Sequence, residues 1–475
     1  MGAKIALVVD HPIRDLGGLT LVATELASRG ADVYLVPMAF QAREIFAIAP
    51  ELAVLNYLRK TNAALVDRIM DAGIGFSLMD TEGGFYGDLS KYTQILNRDP
   101  AQLGAVRSVF AWGHKMDRYW REEIRLKPSQ IALTGAPRFD LYSQKHRAAM
   151  LEFLPAEWKS RRDPLVLLNT KVSVANPQFI TREAEIKLYT ETLGIPMSEV
   201  EWHIEQGEKA IRDACEITLR LARKFADTAV MIRPHPHERM QTYAEGVAGG
   251  PSNVEVRRDG TVTPWIARSC AMIHRHCTTA IESALAGVPA IAPQWMASSA
   301  NVPDGEAVSV PARTWEELED IVDACRKGNY APPEAARARL DSIVHDWLYR
   351  MDGESGARVA QAILDTLPSK SPVRADRARC ALYEAYADRT GAAGRGFHAL
   401  NRLSRFSRIA EPVWQVERAR QAKWARTPKG FGQSDVDAFV RALGMQDRVR
   451  VGGEVETLDG YPSVAVRVSP SGRKG

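Results

Sequence analysis

The sequence predicts an α/β protein of two doubly wound lobes followed by a basic C-terminal extension. Short apolar runs alternate with longer amphipathic stretches through most of its 475 residues. That alternation is what a parallel sheet covered on both faces requires. Charge is divided unevenly: from Ser371 to Gly475 there are 19 Lys and Arg against 11 Asp and Glu, whereas residues 1–370 hold 43 against 47. The change falls at the Pro/Ser segment Leu367-Pro-Ser-Lys-Ser-Pro-Val373, which reads as a boundary. Lobes at 1–150 and 151–370 and a separate module at 371–475 are therefore expected.

In order, the first lobe opens with a predicted strand at Lys4–Val9 and a helix from Asp15, a good N-cap, to Arg29, closed by Gly30. A strand at Val33–Val36, a helix over Tyr57–Ala72, and strands at Phe76–Met79, Val109–Trp112 and Ile131–Leu133 continue the pattern. The charged stretch Tyr142–Pro164 reads as the crossing into the second lobe. There the predicted elements are a strand at Leu165–Leu168, a long helix over Glu199–Lys224, and strands at Ala229–Ile232 and Ala271–His274. A helix at Thr279–Ala286, a strand at Ala290–Ala292, and helices at Trp315–Lys327 and Pro333–Leu367 complete the lobe. The extension is predicted helical from Arg374 to about Arg426, then a hairpin over Arg448–Val468 turning at Leu458-Asp-Gly460.

Composition excludes several classes. With 45% hydrophobic and 25% charged residues the chain is neither collagenous nor wholly disordered. It has no run of about 18 apolar residues, and its N-terminus reads as a first strand rather than a signal peptide. A cytoplasmic location is expected, with the basic extension able to meet an anionic inner membrane face. The five cysteines never form a C-x-x-C pair, so neither a disulfide framework nor a zinc ribbon is expected.

Chemistry-bearing residues gather where predicted strands end, the edge at which α/β sheets bind ligands. Met231-Ile-Arg-Pro-His-Pro-His-Glu238 delivers Arg233 and His235 to a tip stiffened by Pro234 and Pro236. Arg forks a phosphate and His can donate to one; a rigid turn with solvent-facing polar residues is the plain alternative. Ile273-His-Arg-His-Cys-Thr-Thr-Ala-Ile-Glu282 ends a second strand and opens a helix. Thr279 and Glu282 fit a capping box, leaving Thr278 to face a ligand at the helix N-terminus. Two anion-binding tips suit a nucleotide-activated sugar, whose leaving phosphate gains charge that fixed cations and N–H groups can stabilise without a metal. Read instead as zinc ligands, His235, His237, His274, His276 and Cys277 do not have the usual spacing.

Met79-Asp-Thr-Glu-Gly-Gly84 puts Asp80 and Glu82 at a strand tip of the first lobe. Either can serve as base on an acceptor hydroxyl or as nucleophile, and a turn with solvated acids is the alternative. Asp10 and Arg14 line the same edge, with Asp15 equally well a helix cap. Arg138 and Asp140 in Thr134-Gly-Ala-Pro-Arg-Phe-Asp140 either pair with each other or, through Arg138, reach an anionic substrate. Asn169 and Thr170 complete the substrate-lining set.

Six stretches together resemble a family. They are Pro12-Ile-Arg-Asp-Leu16, Asp80-Thr-Glu-Gly-Gly84, Thr134-Gly-Ala-Pro-Arg-Phe-Asp140, Leu168-Asn-Thr170, Arg233-Pro-His-Pro236 and His276-Cys-Thr-Thr-Ala-Ile-Glu282. In this order the chain resembles the bacterial surface-carbohydrate biosynthesis proteins, relatives of the capsule and lipopolysaccharide β-Kdo transferases and, more distantly, of the teichoic-acid glycerophosphotransferases. The chain departs from the pattern at Thr81, which interrupts an acidic run, and at Ala136, where asparagine is expected. The resemblance implies two Rossmann-like lobes of GT-B type and a glycosyltransferase without a bound metal or other cofactor. It also implies a nucleotide site at Arg233, His235, Pro236, Thr278, Thr279 and Glu282, and a CMP-linked, Kdo-like donor. The expected partners are the nucleotide sugar and a glycan acceptor, not nucleic acid. A CDP-glycerol-type polyol-phosphate transferase and a non-catalytic scaffold of the same fold are the alternatives.

Overall fold

The computed structural model describes residues 2–81, 89–299, 302–367, 373–390 and 410–472. Two compact units emerge, Met1–Leu141 with Val344–Gly475, and Tyr142–Ile343. These differ from the expected lobes at 1–150 and 151–370 and module at 371–475, because the chain returns to the first unit after residue 343. The predicted helix Pro333–Leu367 is accordingly two helices, Glu334–Ile343 in the second unit and Ser355–Asp365 in the first. Tyr349 and Gly353, both with left-handed backbone, turn the chain between them.

The strands are β1 Lys4–Val9, β2 Asp32–Pro37, β3 Leu52–Leu55, β4 Gly75–Leu78, β5 Val106–Ala111 and β6 Ile131–Leu133. In the second unit they are β7 Leu165–Asn169, β8 Ala229–Arg233, β9 Val254–Val256, β10 Ala271–Ile273, β11 Ala290–Pro293 and β12 Val310–Ala312. The last two, β13 Val449–Val451 and β14 Val466–Pro470, lie in the extension. Sheet order in the first unit is β13-β14-β2-β1-β3-β4-β5-β6, and in the second β12-β11-β10-β7-β8-β9. All pairs from β2 to β6 and all pairs of the second sheet are parallel. Both units are thus doubly wound Rossmann-like α/β sheets, as the alternation predicts.

Buried strands and one face of each helix make the two cores. In the second unit the helix Met197–Lys224 buries Val200, Ala210, Ala214, Ile217 and Leu221, an i, i+3/i+4 stripe. It covers Val166, Leu168, Val230 and Ile232 of the central strands. In the first unit Val22, Leu26, Val359 and Ile363 cover Ile5, Leu7, Val33 and Leu35. Gly18 lets the helix Gly17–Ser28 close on the loop after β6, since a Cβ there would lie 2.5 Å from the Arg138 nitrogen.

The extension is built into the first unit. The predicted hairpin forms as antiparallel β13 and β14, and β14 then pairs antiparallel with β2. Arg43 and Glu417, 2% and 1% exposed, form an ion pair at 2.8 Å. Tyr461 donates to the second Glu417 oxygen. Beside them the fully buried Glu44 accepts from Ser463 Oγ at 2.6 Å and Val464 N at 3.0 Å.

Two outcomes follow. Removing one partner of a buried pair strands the other charge, so Glu417→Ala should cost about 3–5 kcal/mol of stability, read by chemical denaturation. Burial pushes the Glu44 carboxyl from 4.5 to about 7, against the pull of Ser463 and Val464. A raised carboxyl pKa means that the folded state holds its proton over a range where the unfolded chain has lost it. Its contribution is therefore full below the unfolded value and lost as pH rises through the folded one. Stability measured across pH 4.5–7 should fall less steeply in Glu44→Gln than in the native chain; equal slopes would refute the assignment.

Candidate functional site

In the second unit the chain runs from β7 to β8 and β9 on one side, then crosses back to β10 on the other side of β7. Counted from β7, the order is that of dinucleotide-binding sheets, and the crevice at the reversal lies outside the carboxyl ends of β7 and β10. Asn169 ends β7 there, 5% exposed. Its Nδ2 donates to Thr279 Oγ1 at 3.1 Å, while Oδ1 has no hydrogen-bond partner among the described residues. The two amide atoms are assigned from this network, and with either assignment one of them remains for a ligand.

The loop after β10 is held rigidly. His274 is fully buried, and Cys277 N donates to its Nδ1 at 3.4 Å. Its Nε2 lies 2.7 Å from Ser309 Oγ, which itself donates to the Gly305 carbonyl at 2.6 Å. The ring is therefore neutral with its proton on Nε2, and burial lowers its pKa to about 4. His276 adopts left-handed backbone at φ 48°, a conformation that costs a non-glycine residue about 1 kcal/mol or more. Glu306 anchors it by accepting from His276 N at 2.8 Å and pairing with Arg275. Thr278, exposed, is the residue before the helix Thr279–Leu285 and makes no side-chain cap. The predicted capping box is therefore not made: Thr279 Oγ1 turns instead to Asn169 and to Cys277 Sγ at 3.0 Å. Glu282 lies partly exposed in the first turn.

At the tip of β8 the polar groups divide in two. Arg233, 8% exposed, gives NH1 to the Asp259 carbonyl at 2.9 Å and NH2 to the Gly260 carbonyl at 2.6 Å. Its fork, expected on a phosphate, ties down the loop after β9, and burial lowers its pKa to about 10. His235 is less enclosed. Its Nδ1 accepts from His237 N at 3.2 Å, which leaves the proton on Nε2. Burial first, then His237, Lys171 and Arg258, lowers its pKa to about 4, so it is a neutral donor at pH 7. Pro236 is exposed and offers its carbonyl to Arg258 at 3.2 Å.

Three residues absent from the sequence expectation complete this tip. Glu238 is fully buried and accepts from Thr170 Oγ1 at 2.6 Å, Val172 N at 2.7 Å and Tyr243 at 2.6 Å. Burial raises its pKa against those donors. Thr170 thus joins the loops after β7 and β8. Lys171 is exposed and acts electrostatically on both His235 and Cys277, and Arg258 acts on His235 and Arg233. The position of Lys171, directly after Asn169-Thr170 at a strand tip, was the available signal.

In the first unit the reversal lies between β1 and β3. The pocket there is lined by Asp15, Asn56, Asp80, Thr81, Trp112 and Arg138, among others. Asp80, 8% exposed, accepts from Tyr92 at 2.8 Å. Arg138 stacks on Trp112 and Phe139, at 5.1 and 4.5 Å, and reaches the Thr81 carbonyl at 3.4 Å. Asp140, 1% exposed, accepts from Gly356 N at 2.8 Å, and burial raises its pKa to about 6. Arg14 is clamped by Asp10 at 2.6 Å and Asp15 at 2.8 Å. Asp15 accepts from His11 N within the turn Pro12–Leu16 rather than capping the helix Gly17–Ser28. Glu82 lies outside the described residues.

Among the described residues, no three His, Cys, Asp or Glu side chains converge as a metal site. Among them, too, no helix is long and apolar enough to cross a membrane.

No family model and no curated protein matches the chain. Among solved structures it is similar to UDP-GlcNAc 2-epimerase from Neisseria meningitidis bound to UDP-GlcNAc, at 12% identity and TM-score 0.47, covering 76% of this chain and 100% of that one. It is also similar to S. aureus MnaA with UDP, at 11% identity and TM-score 0.43, covering 78% and 99%. A third likeness is to the wall teichoic acid polymerase TagF soaked with CDPG, at 9% identity and TM-score 0.43, covering 77% and 88%. All three fall below a TM-score of 0.5, and the chemistry of this chain rests on its own residues.

Proposed function

We propose that the chain transfers a sugar from a nucleotide-activated donor, CMP-linked, onto a bacterial surface polysaccharide. The observation that supports this most is the polar crevice at the β7/β10 reversal. There a buried Asn169 keeps one amide atom without a partner among the described residues, and Thr279, His235 and Lys171 belong to the same strand tips. Such a crevice suits a nucleotide phosphate. The CMP base, the Kdo-like sugar and the surface glycan come from the sequence resemblance.

In this reading an acceptor hydroxyl gives its proton to a carboxylate, the role the sequence expectation gives Asp80, and its oxygen attacks the anomeric carbon. The bond from that carbon to the phosphate oxygen breaks, and its electron pair leaves with the nucleotide. The Lys171 ammonium, the His235 Nε2–H and the Thr279 hydroxyl oppose the charge growing on the phosphate. Arg233 acts one step removed, by holding the loop after β9.

Thermal unfolding with CMP, CDP, UDP and GDP tests the donor side. A nucleotide at a hundred times its dissociation constant adds about 2.7 kcal/mol. CMP should stabilise the native chain, and His235→Ala and Thr279→Val should each reduce the shift. Stabilisation by CDP alone would replace the reading with polyol-phosphate transfer, and no shift with any nucleotide would refute it. Asp80→Asn should keep the CMP shift and lose about a hundredfold or more of transfer, the usual share of a general base. Unchanged transfer would remove Asp80 from the chemistry.

A further inference from the structure

On the second unit the helices Met197–Lys224 and Met240–Gly246 enclose two depressions of about 450 and about 500 Å³. Both are lined by Ile211 and Arg212, so they adjoin, and we take them together as one groove. One end, with Asn176, Pro177 and Arg239, belongs to the loops after β7 and β8; the other reaches Arg223, near the end of the long helix. Gly246 lets the helices close at that second end, because a Cβ there would lie 2.5 Å from Cys215 Sγ.

Five guanidinium groups line this groove, those of Arg182, Arg212, Arg220, Arg223 and Arg239, against the carboxylates of Glu208 and Glu216. Arg182 is paired with Glu208 at 2.7 Å and Arg220 with Glu319 at 2.7 Å. Arg212 and Arg223 are exposed and have no carboxylate partner among the described residues. Arg239, also exposed, donates to the Pro177 carbonyl and has no carboxylate partner among the described residues; set against the one unpaired lining carboxylate, Glu216, the groove carries an excess of positive charge spread along its length. We propose that it binds a polyanionic glycan, a chain with a carboxylate or phosphate on successive units, and so holds the acceptor away from the reacting end.

Charge spaced along a groove fits a chain of anions better than a single one. The lining holds no aromatic side chain, and single-stranded nucleic acid depends on such side chains for stacking. That the polyanion is a glycan rests on the function proposed above; that the groove takes a polyanion does not.

The test is fluorescence-polarisation binding to four labelled chains of similar length: oligogalacturonate, poly(glycerol phosphate), neutral dextran and oligothymidylate. The native protein should bind at least one of the first two, more weakly as salt rises. Arg212→Glu with Arg223→Glu should weaken that binding at least tenfold, leaving the unfolding temperature and the CMP shift unchanged. Arg212→Gln with Arg223→Gln, a milder pair, should weaken it in the same direction. Binding of the carboxylate chain alone or the phosphate chain alone identifies the anion. The proposal is overturned if neither anionic glycan binds, if dextran binds as well, if oligothymidylate binds more tightly, or if both variant pairs bind as the native chain does. An absent CMP shift with glycan binding intact would refute the donor reading and leave the groove standing.

Discussion

Because the strands of the second sheet and the six from β2 to β6 of the first run parallel, every connection has to cross back over a face, and every strand ends on the same edge as its neighbours. That constraint decides where polar groups can go. The faces are covered by helices, so the chain's polar side chains collect in the loops beyond the carboxyl ends. Where successive crossovers leave in opposite directions the loops part and a crevice opens. Asn169 and Thr279 meet across one such reversal and Asp80 lines the other. No residue had to be recruited from elsewhere in the fold.

A strand tip, however, also has to satisfy its own backbone and buried charges. Much of the chemistry apparent in the sequence is consumed this way. Arg233 closes on two carbonyls, His274 is locked between Ser309 and Cys277, Asp140 holds Gly356, and Arg14 is shared by two aspartates. What is left over is more telling than what is present. Among the described residues His235 retains a proton on an uncommitted nitrogen, Lys171 is exposed, and Asn169 is nearly inaccessible yet has an amide atom with no partner. A buried orphan of that kind costs about 1–3 kcal/mol, a cost that a ligand would relieve.

The parallel strands were legible in the sequence in proportion to their burial. Lys4–Val9 and Ala229–Ile232 coincide with β1 and nearly all of β8, since a run buried on both faces must be apolar. The strands with no counterpart in the expectation have local reasons. β9 and β12 form the two edges of the second sheet; β12 carries Pro311, tolerable at an edge, and β9 is interrupted by Glu255, which pairs with Arg161 and Arg257. β3 is central, but only three residues separate it from a helix whose last turn, Ile45-Phe-Ala-Ile48, is equally apolar. Site residues show the same limit. The motifs placed polar residues at strand tips, but whether an arginine faces a ligand or a carbonyl more than twenty residues away is a tertiary fact. The fork of Arg233 and the buried carboxylate of Glu238 are cases of it.

The extension is where local sequence says least. Its basic composition suggested an independent module, yet β14 covers the β2 edge of the first sheet and Arg467 pairs with Asp32 across that seam at 2.9 Å. An uncovered parallel edge would present unpaired N–H and C=O groups to any passing strand. Two antiparallel strands from the end of the chain remove most of that exposure, and the short β13 becomes the new edge. Hydrophobic burial alone would not choose the register of such an addition. The Arg43–Glu417 pair, with Tyr461 on its second oxygen and Glu44 held by Ser463 and Val464, aligns only when the extension sits in one position. Displaced by a residue, the same groups would be buried without partners. The interaction that is weakest as a source of net stability is thus the strongest as a selector of register.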